Sequence, residues 1–238
     1  MKAGAPGGNS PPAELCAHAA LHEFYPAAPG DAAAAIGFAA AAAALAAGDR
    51  FILWVCEDIA RDDPVRLHPS GLAALGLDPA RHVLVRARSV PDVLRAGVEA
   101  ARCGALGAAV IEVRGEARQL DLTASRRLSL AAQASGVPVL MVRLAAHPVS
   151  SAAWTRWLVR SAPSRALAAD APGCPAYDLT LLRHRGGVAA GAWRMEWDRD
   201  RRCFEERTSG GGAPLSRGVV SVPADRPPAT ETGLRRAV

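Results

Sequence analysis

LHEFYPAAPGDAAAA, residues 21–35, is the stretch on which the reading of this chain turns. An apolar run carrying Leu21, Phe24 and Tyr25 predicts a strand. A Pro/Gly turn follows, and then an alanine-rich stretch that predicts a helix ending near Ala47 and Gly48. Strand, turn and helix in that order are the setting of a phosphate-binding loop. Its working form, GxxxxGK[ST], uses a lysine to neutralise the β- and γ-phosphates and a hydroxyl to hold Mg²⁺. Here Gly30 is followed by Asp31 and Ala32. An anion stands where the cation is needed and a methyl group where the metal ligand is needed, so strong ATP·Mg²⁺ binding is not expected.

Downstream, apolar β-type runs alternate with helical ones, as in a parallel sheet with crossover helices. Strands are predicted at 50–55 (RFILWV), 82–85, 108–113 (AAVIEV) and 137–144 (VPVLMVRL), and helices at 69–76, 90–103 and 121–135. The 90–103 helix carries Val90, Val93, Leu94 and Val98 at the spacing of one buried face. The 108–113 strand is apolar except at Glu112, as burial on both faces requires. From residue 150 the character changes. Trp154 and Trp157 fall within 150–164, and 177–184 with 192–197 alternate like an antiparallel hairpin turning at Gly186 and Gly187. The expectation is an α/β fold with five parallel strands, flanking helices and antiparallel additions at one edge.

The 238 residues, half of them apolar, suffice for one such domain. Residues 1–20 read as a flexible leader, 21–207 as the domain, and 208–238, dominated by Gly, Pro, Ser and Arg without periodicity, as a disordered tail. Residues 32–47 are too short and too weakly hydrophobic to span a bilayer, and the N-terminus lacks the apolar core of a signal peptide. A cytoplasmic location and no membrane contact are expected. Five scattered cysteines without a CxxC pair predict neither zinc nor disulfides. Ser125 and Ser129 have no His/Asp partner at a useful spacing, so no catalytic residue, metal or cofactor is expected. The net charge of +5 permits nucleic-acid contact without requiring it.

Several segments resemble, in order, the core of the RecA recombinase over about residues 21–204: the loop at 26–31, ILWVCED, LGLDPARHVLVRARSVPDVLRAGVEAARCGALGAAVIEV, GVPVLMVRL and DLTLLRHRGG. Within RecA-like proteins the chain most resembles the ImuA family, accessory proteins of bacterial DNA-damage-induced mutagenesis cassettes that are sometimes described as SulA-like cell division inhibitors. LHEFYPAAPGDAAAAIGFA, LWVCEDIARDD and RHRGG with WRMEWDRDRRCFEER carry that likeness. The resemblance implies a RecA-like, P-loop NTPase-type fold whose lysine and threonine are replaced by Asp31 and Ala32. It puts Glu112 in the Walker B position, Glu57 or Asp58 in that of the water-activating acid, and the γ-phosphate sensor near Arg143 and Leu144. Gly30, Asp31, Ala32, Glu57 and Glu112 thus form a degenerate nucleotide site.

The resemblance also implies a non-catalytic accessory role in SOS-induced translesion synthesis. Its partners would be an ImuB-like, Y-family-related clamp-binding protein, an error-prone polymerase and RecA itself. Three alternatives remain open: an ATPase that uses nucleotide unconventionally, a DNA-binding module, and inhibition of the division protein FtsZ. For the DNA reading, arginines in 183–207 interleave with Trp193, Trp197 and Phe204. Glu196, Asp198, Asp200, Glu205 and Glu206 alternate with them, and the simpler reading is a solvated hairpin with cross-strand ion pairs. Trp154, Trp157, Arg183, Arg185, Arg201 and Arg202 are the candidate partner or DNA contacts.

Overall fold

A helix that is apolar on every side is favoured in the interior, and the alanine-rich helix α2 (Ala32–Ala47), ten of whose sixteen residues are buried, is the centre of this fold. A computed structural model describes residues 11–58, 66–165, 171 and 173–207. Around α2 curls one nine-stranded sheet: β1 (Leu21–Pro26), β2 (Phe51–Glu57), β3 (His82–Ala87), β4 (Leu106–Arg114), β5 (Val139–Leu144), β6 (Thr155–Ala162), β7 (Ala176–His184), β8 (Ala192–Asp198) and β9 (Cys203–Glu206). Their spatial order is β3-β2-β4-β5-β1-β6-β7-β8-β9. Both ends of this order feed one core cluster, because Ile52, Trp54 and Val110 pack with α2 together with Tyr177, Leu179, Trp197 and Phe204. The rings of Phe38 on α2 and Phe204 on β9 are 5.0 Å apart.

Helices α4 (Val90–Arg102) and α5 (Leu122–Ser135) cover the other face of the parallel strands, where Val55, Ile111 and Met141 meet Val93 and Leu128. Gly97 makes that approach possible, since a Cβ there would lie 2.4 Å from Ile111 Cδ1. Ser89 and Asp121 cap the two helices by accepting the N–H of Asp92 and Ala124, and Gly136 ends α5 in the left-handed conformation at φ +77°. The short helices α1 (Pro11–Ala17) and α3 (Pro69–Ala74) complete the described elements, α1 packing on α2.

The structure departs from the sequence reading in four places. Six strands are parallel rather than five, because β6 pairs in parallel with β1 before the antiparallel β7, β8 and β9 follow. β9 was not anticipated; it is four residues long, too short for periodicity to show. Within the leader expected at 1–20, where 12–20 also read as a possible short helix, Pro11–Ala17 form α1 and Cys16 is completely buried. On the strand predicted at 50–55, Leu53 is only half-buried, while Val110, Ile111, Val139 and Leu140 on β4 and β5 are fully buried. The tail at 208–238 and the first ten residues lie outside the described residues. By length and composition Pro29–Ala47 passes as a membrane span, and here it is the core helix.

Candidate functional site

The loop after β1 is closed from inside. Ala27 N–H donates to Val159 O on β6 at 2.8 Å, and Asp31 N–H to Ala28 O at 2.9 Å, which shapes Pro29–Asp31 into a tight 3-10 turn. Asp31 is 6% exposed. Its Oδ1 accepts two hydrogen bonds from Ser161 on β6, from N–H at 2.9 Å and from the hydroxyl at 2.6 Å. The carboxylate therefore fastens the loop to the sheet and is not turned to solvent. Ala28, Pro29 and Gly30 are the exposed part of the loop, and a Cβ on Gly30 would meet nothing within 4 Å. With Gly30, Asp31 and Ala32 as the last three motif positions, the first motif glycine falls on Tyr25, which is buried inside β1.

Glu57 is the half-buried last residue of β2, and Asp58 after it is exposed, 3.9 Å from Arg86. Glu112 lies on β4 beside Val142 of β5, facing α2, and is nearly buried. Its Oε1 is 3.3 Å from Arg114 Nη2. Burial, with Glu112 nearby, raises the thiol pKa of the neighbouring Cys56. Arg143, near the expected sensor position, faces the other way: it pairs with Val113 among the α4/α5-side residues and is 1% exposed. Its guanidinium lies 5.8 Å from the centre of the Tyr25 ring, and Arg156 is 6.0 Å from the same ring. Arg156 Nε donates to Glu23 Oε2 at 2.8 Å, and its Nη2 to Ser151 Oγ at 2.8 Å. Burial first, and the Glu23 charge second, raise the Tyr25 pKa to about 12.

The candidate contact residues do not form one patch. Trp157 is completely buried, donating Nε1–H to Thr155 Oγ1 at 2.8 Å, so it is a core anchor and is unavailable to a partner. Trp154 is half-buried, stacked on His18 at 4.7 Å with His184 edge-on at 5.4 Å. Arg183 and Arg185 donate to the carbonyls of Ser151 and Ala152. Arg201 pairs with Glu205, and Arg202 Nε donates to Gly76 O at 3.1 Å. The first two arginines sit beyond the start of β8 and the last two beyond its end, separated by the length of that strand. Between them charges are matched across strands: Arg194 makes a two-pronged pair with Asp178 at 2.7 and 2.8 Å, and Arg207 meets Glu196 at 3.3 Å.

Sequence reasoning missed Ser161, Glu23 and Arg156, whose partners are 130 or more residues away with no local pattern to link them. Among the described residues no three His, Cys, Asp or Glu side chains are placed to hold a metal, and all five cysteines are free.

No protein-family model matches the chain. Two curated relatives, each named Protein ImuA and from two strains of Caulobacter vibrioides (NA1000/CB15N and ATCC 19089/CIP 103742/CB 15), are 33% identical over 156 residues. The match takes in 61% of this chain and 59% of each relative, so the chain spans about three fifths of their length. Among solved structures, the RadB recombinase superposes with a TM-score of 0.54 at 14% identity, covering 80% of this chain and 92% of that one. SulA from Pseudomonas aeruginosa gives a TM-score of 0.39 at 22% identity, covering 52% and 96%. The parallel strands with flanking helices and the antiparallel β7–β9 make a RecA-like α/β fold, and on that fold the chain resembles the ImuA family.

Proposed function

We propose that this protein is a non-catalytic, RecA-like accessory protein of DNA-damage-induced mutagenesis that acts through protein contacts. The observation that supports this most is the inward Asp31. A nucleotide loop needs a cation aimed at the phosphates, whereas this loop spends an anion on Ser161 of β6. Without a phosphate held there, Glu57 and Glu112 have no substrate to act on, and Arg114 beside Glu112 supplies a local countercharge. By resemblance to ImuA, the partners are an ImuB-like protein and an error-prone polymerase, with RecA a further one. The paired charges across β7, β8 and β9 weaken the case for that hairpin as a DNA-binding surface.

Two measurements test this reading. A fluorescent ATP analogue with Mg²⁺ is expected to show no saturable binding, and single-turnover ATP hydrolysis is expected to match that of a Glu57→Gln control. Binding tighter than about 10 μM, a range ordinary for enzymes, or hydrolysis above the control would overturn the non-catalytic part. Co-purification with the ImuB-like protein is expected, and its failure with both folded proteins would remove the accessory role.

A further inference from the structure

The curl of the sheet brings its late strands back to the loop that precedes β3, and the closure is tight. Trp197 Nε1 donates to Leu75 O at 2.8 Å, and a Cβ on Gly76, at φ +71°, would stand 2.4 Å from Arg199 O. Next to this seam, at the edge where β2 and β3 begin, a cavity of about 270 Å³ opens beside the end of α2. Leu45, Ile52, Leu77 and Trp197 give it an apolar lining, and Arg50, Arg81 and Arg202 a cationic one. None of these belongs to the loop at 26–31, which lies at the opposite edge of the parallel strands.

The charges here are unevenly committed. Asp78 is used at home, its Oδ1 accepting Ala80 N–H at 2.9 Å, and Asp49 projects into solvent with only Arg81 at 3.1 Å. Arg50 spends Nη1 on Leu106 O, and Arg202 spends Nε on Gly76 O. Their remaining guanidinium nitrogens have no hydrogen-bond partner among the described residues. Arg202 also sits at φ +49°, in the left-handed region that glycine and asparagine favour in turns. His82, on the same wall, has Nε2 buried without a partner among the described residues.

We propose that this seam cavity receives an acidic peptide segment of a partner protein, an apolar side chain entering beside the half-buried Leu45 over the buried floor of Ile52, Leu77 and Trp197, with flanking carboxylates on Arg81 and Arg202. The proposal rests on the protein-contact reading above and names where one such contact is made. Charge selects the peptide: three arginines against Asp78 and the Arg81-paired Asp49 leave one net positive charge, and a guanidinium grips a carboxylate through paired N–H groups. Size limits it, since about 270 Å³ is below the 300–1,000 Å³ usual for small-molecule pockets and suits one side chain. The carbonyl end of α2 at Gly48 also lines the cavity and repels anions, which confines the carboxylates to the arginine side.

The test uses the full chain and two fluorescein-labelled peptides read by anisotropy, Asp-Glu-Leu-Phe-Asp-Glu and its neutral isostere Asn-Gln-Leu-Phe-Asn-Gln. The acidic peptide is expected to bind with a Kd below about 100 μM, and the isostere at least about tenfold more weakly, with a strong salt dependence. Arg202→Asn suits the left-handed backbone while removing the charge, so it is expected to weaken the acidic peptide several-fold without lowering the melting temperature; adding Arg81→Gln is expected to abolish binding. Equal binding of both peptides, no binding, or variants that bind like the wild type would overturn the proposal. So would displacement of the peptide by millimolar inorganic phosphate or a nucleoside monophosphate at matched ionic strength, which would mark a small-anion site. If peptide binding is absent while the Arg81→Gln/Arg202→Asn variant still co-purifies with the ImuB-like protein, the cavity assignment falls and the accessory reading stands.

Discussion

Asp31 and Glu112, towards the edge where the parallel strands end, and Glu23, in the middle of β1, each have a partner within 3.3 Å, whereas at the edge where the strands begin Arg50 and Arg202 are held by one backbone carbonyl apiece. In doubly wound folds the first edge is where ligands bind. Here Asp31, Glu112 and Glu23 are taken up by Ser161, Arg114 and Arg156, while Arg143 Nε and Nη1 stay buried without a hydrogen-bond partner among the described residues and Asp58 is exposed. The second edge keeps spare donors around an open cavity. Buried charge that is paired contributes to holding the fold, and charge with unused donors at a cavity mouth is what recognition requires. The difference between the two edges therefore predicts where substitutions cost stability and where they cost binding.

The largest effect is expected at the partnered edge. Arg156→Met would strand the nearly buried Glu23 carboxylate and cost about 3–5 kcal/mol of stability by chemical denaturation. Replacing both, Glu23→Leu with Arg156→Met, is expected to cost clearly less than the single change, because no uncompensated charge is left. A single variant as stable as the wild type would show that the pair does not hold that edge.

A smaller effect follows pH. His22 is fully buried on β1, and its ring joins a directed chain: Trp157 Nε1 donates to Thr155 Oγ1, whose hydroxyl donates to His22 Nδ1, and His22 Nε2–H donates to His18 O. Burial lowers its pKa to about 4 from 6.5. Below pH 6.5 the unfolded chain takes up the proton that the folded ring refuses, so stability is full above pH 6.5 and is lost as the pH falls towards 4. The loss is on the order of 3 kcal/mol across that window. His22→Gln, which has no such proton to take up, is expected to flatten the denaturation midpoint between pH 7 and 4.5; an unchanged slope would assign the acid sensitivity to other groups.

The smallest effect belongs to the seam. Arg81→Gln touches an exposed Asp49 and one cavity wall, and is expected to move the melting temperature by no more than about 2 °C. A large drop would mean that the seam is part of the stabilising core and would erase the contrast between the edges.

Much of the fold was legible in the residue order. The unbroken apolar run through Val110 and Ile111 marks a strand covered on both faces, and the spacing of Val90, Val93, Leu94 and Val98 marks a helix lying on it. The loss of lysine and hydroxyl at Asp31 and Ala32 could also be read directly, because a motif of fixed spacing is a local property. What Asp31 does instead was not legible. Ser161 is 130 residues away, and only the parallel pairing of β6 with β1 brings it under the loop. Trp157 and Arg202 are equally plausible contacts by residue type, yet strand alternation aims one at α2, while the β8–β9 turn carries the other to Gly76 and the cavity. Periodicity and motif spacing set element type and chemical deficit, since both act over a few residues. Which charges are spent and which stay available was decided by the curl of the sheet around α2, because hydrogen bonding and burial depend on distances in space that chain separation does not encode.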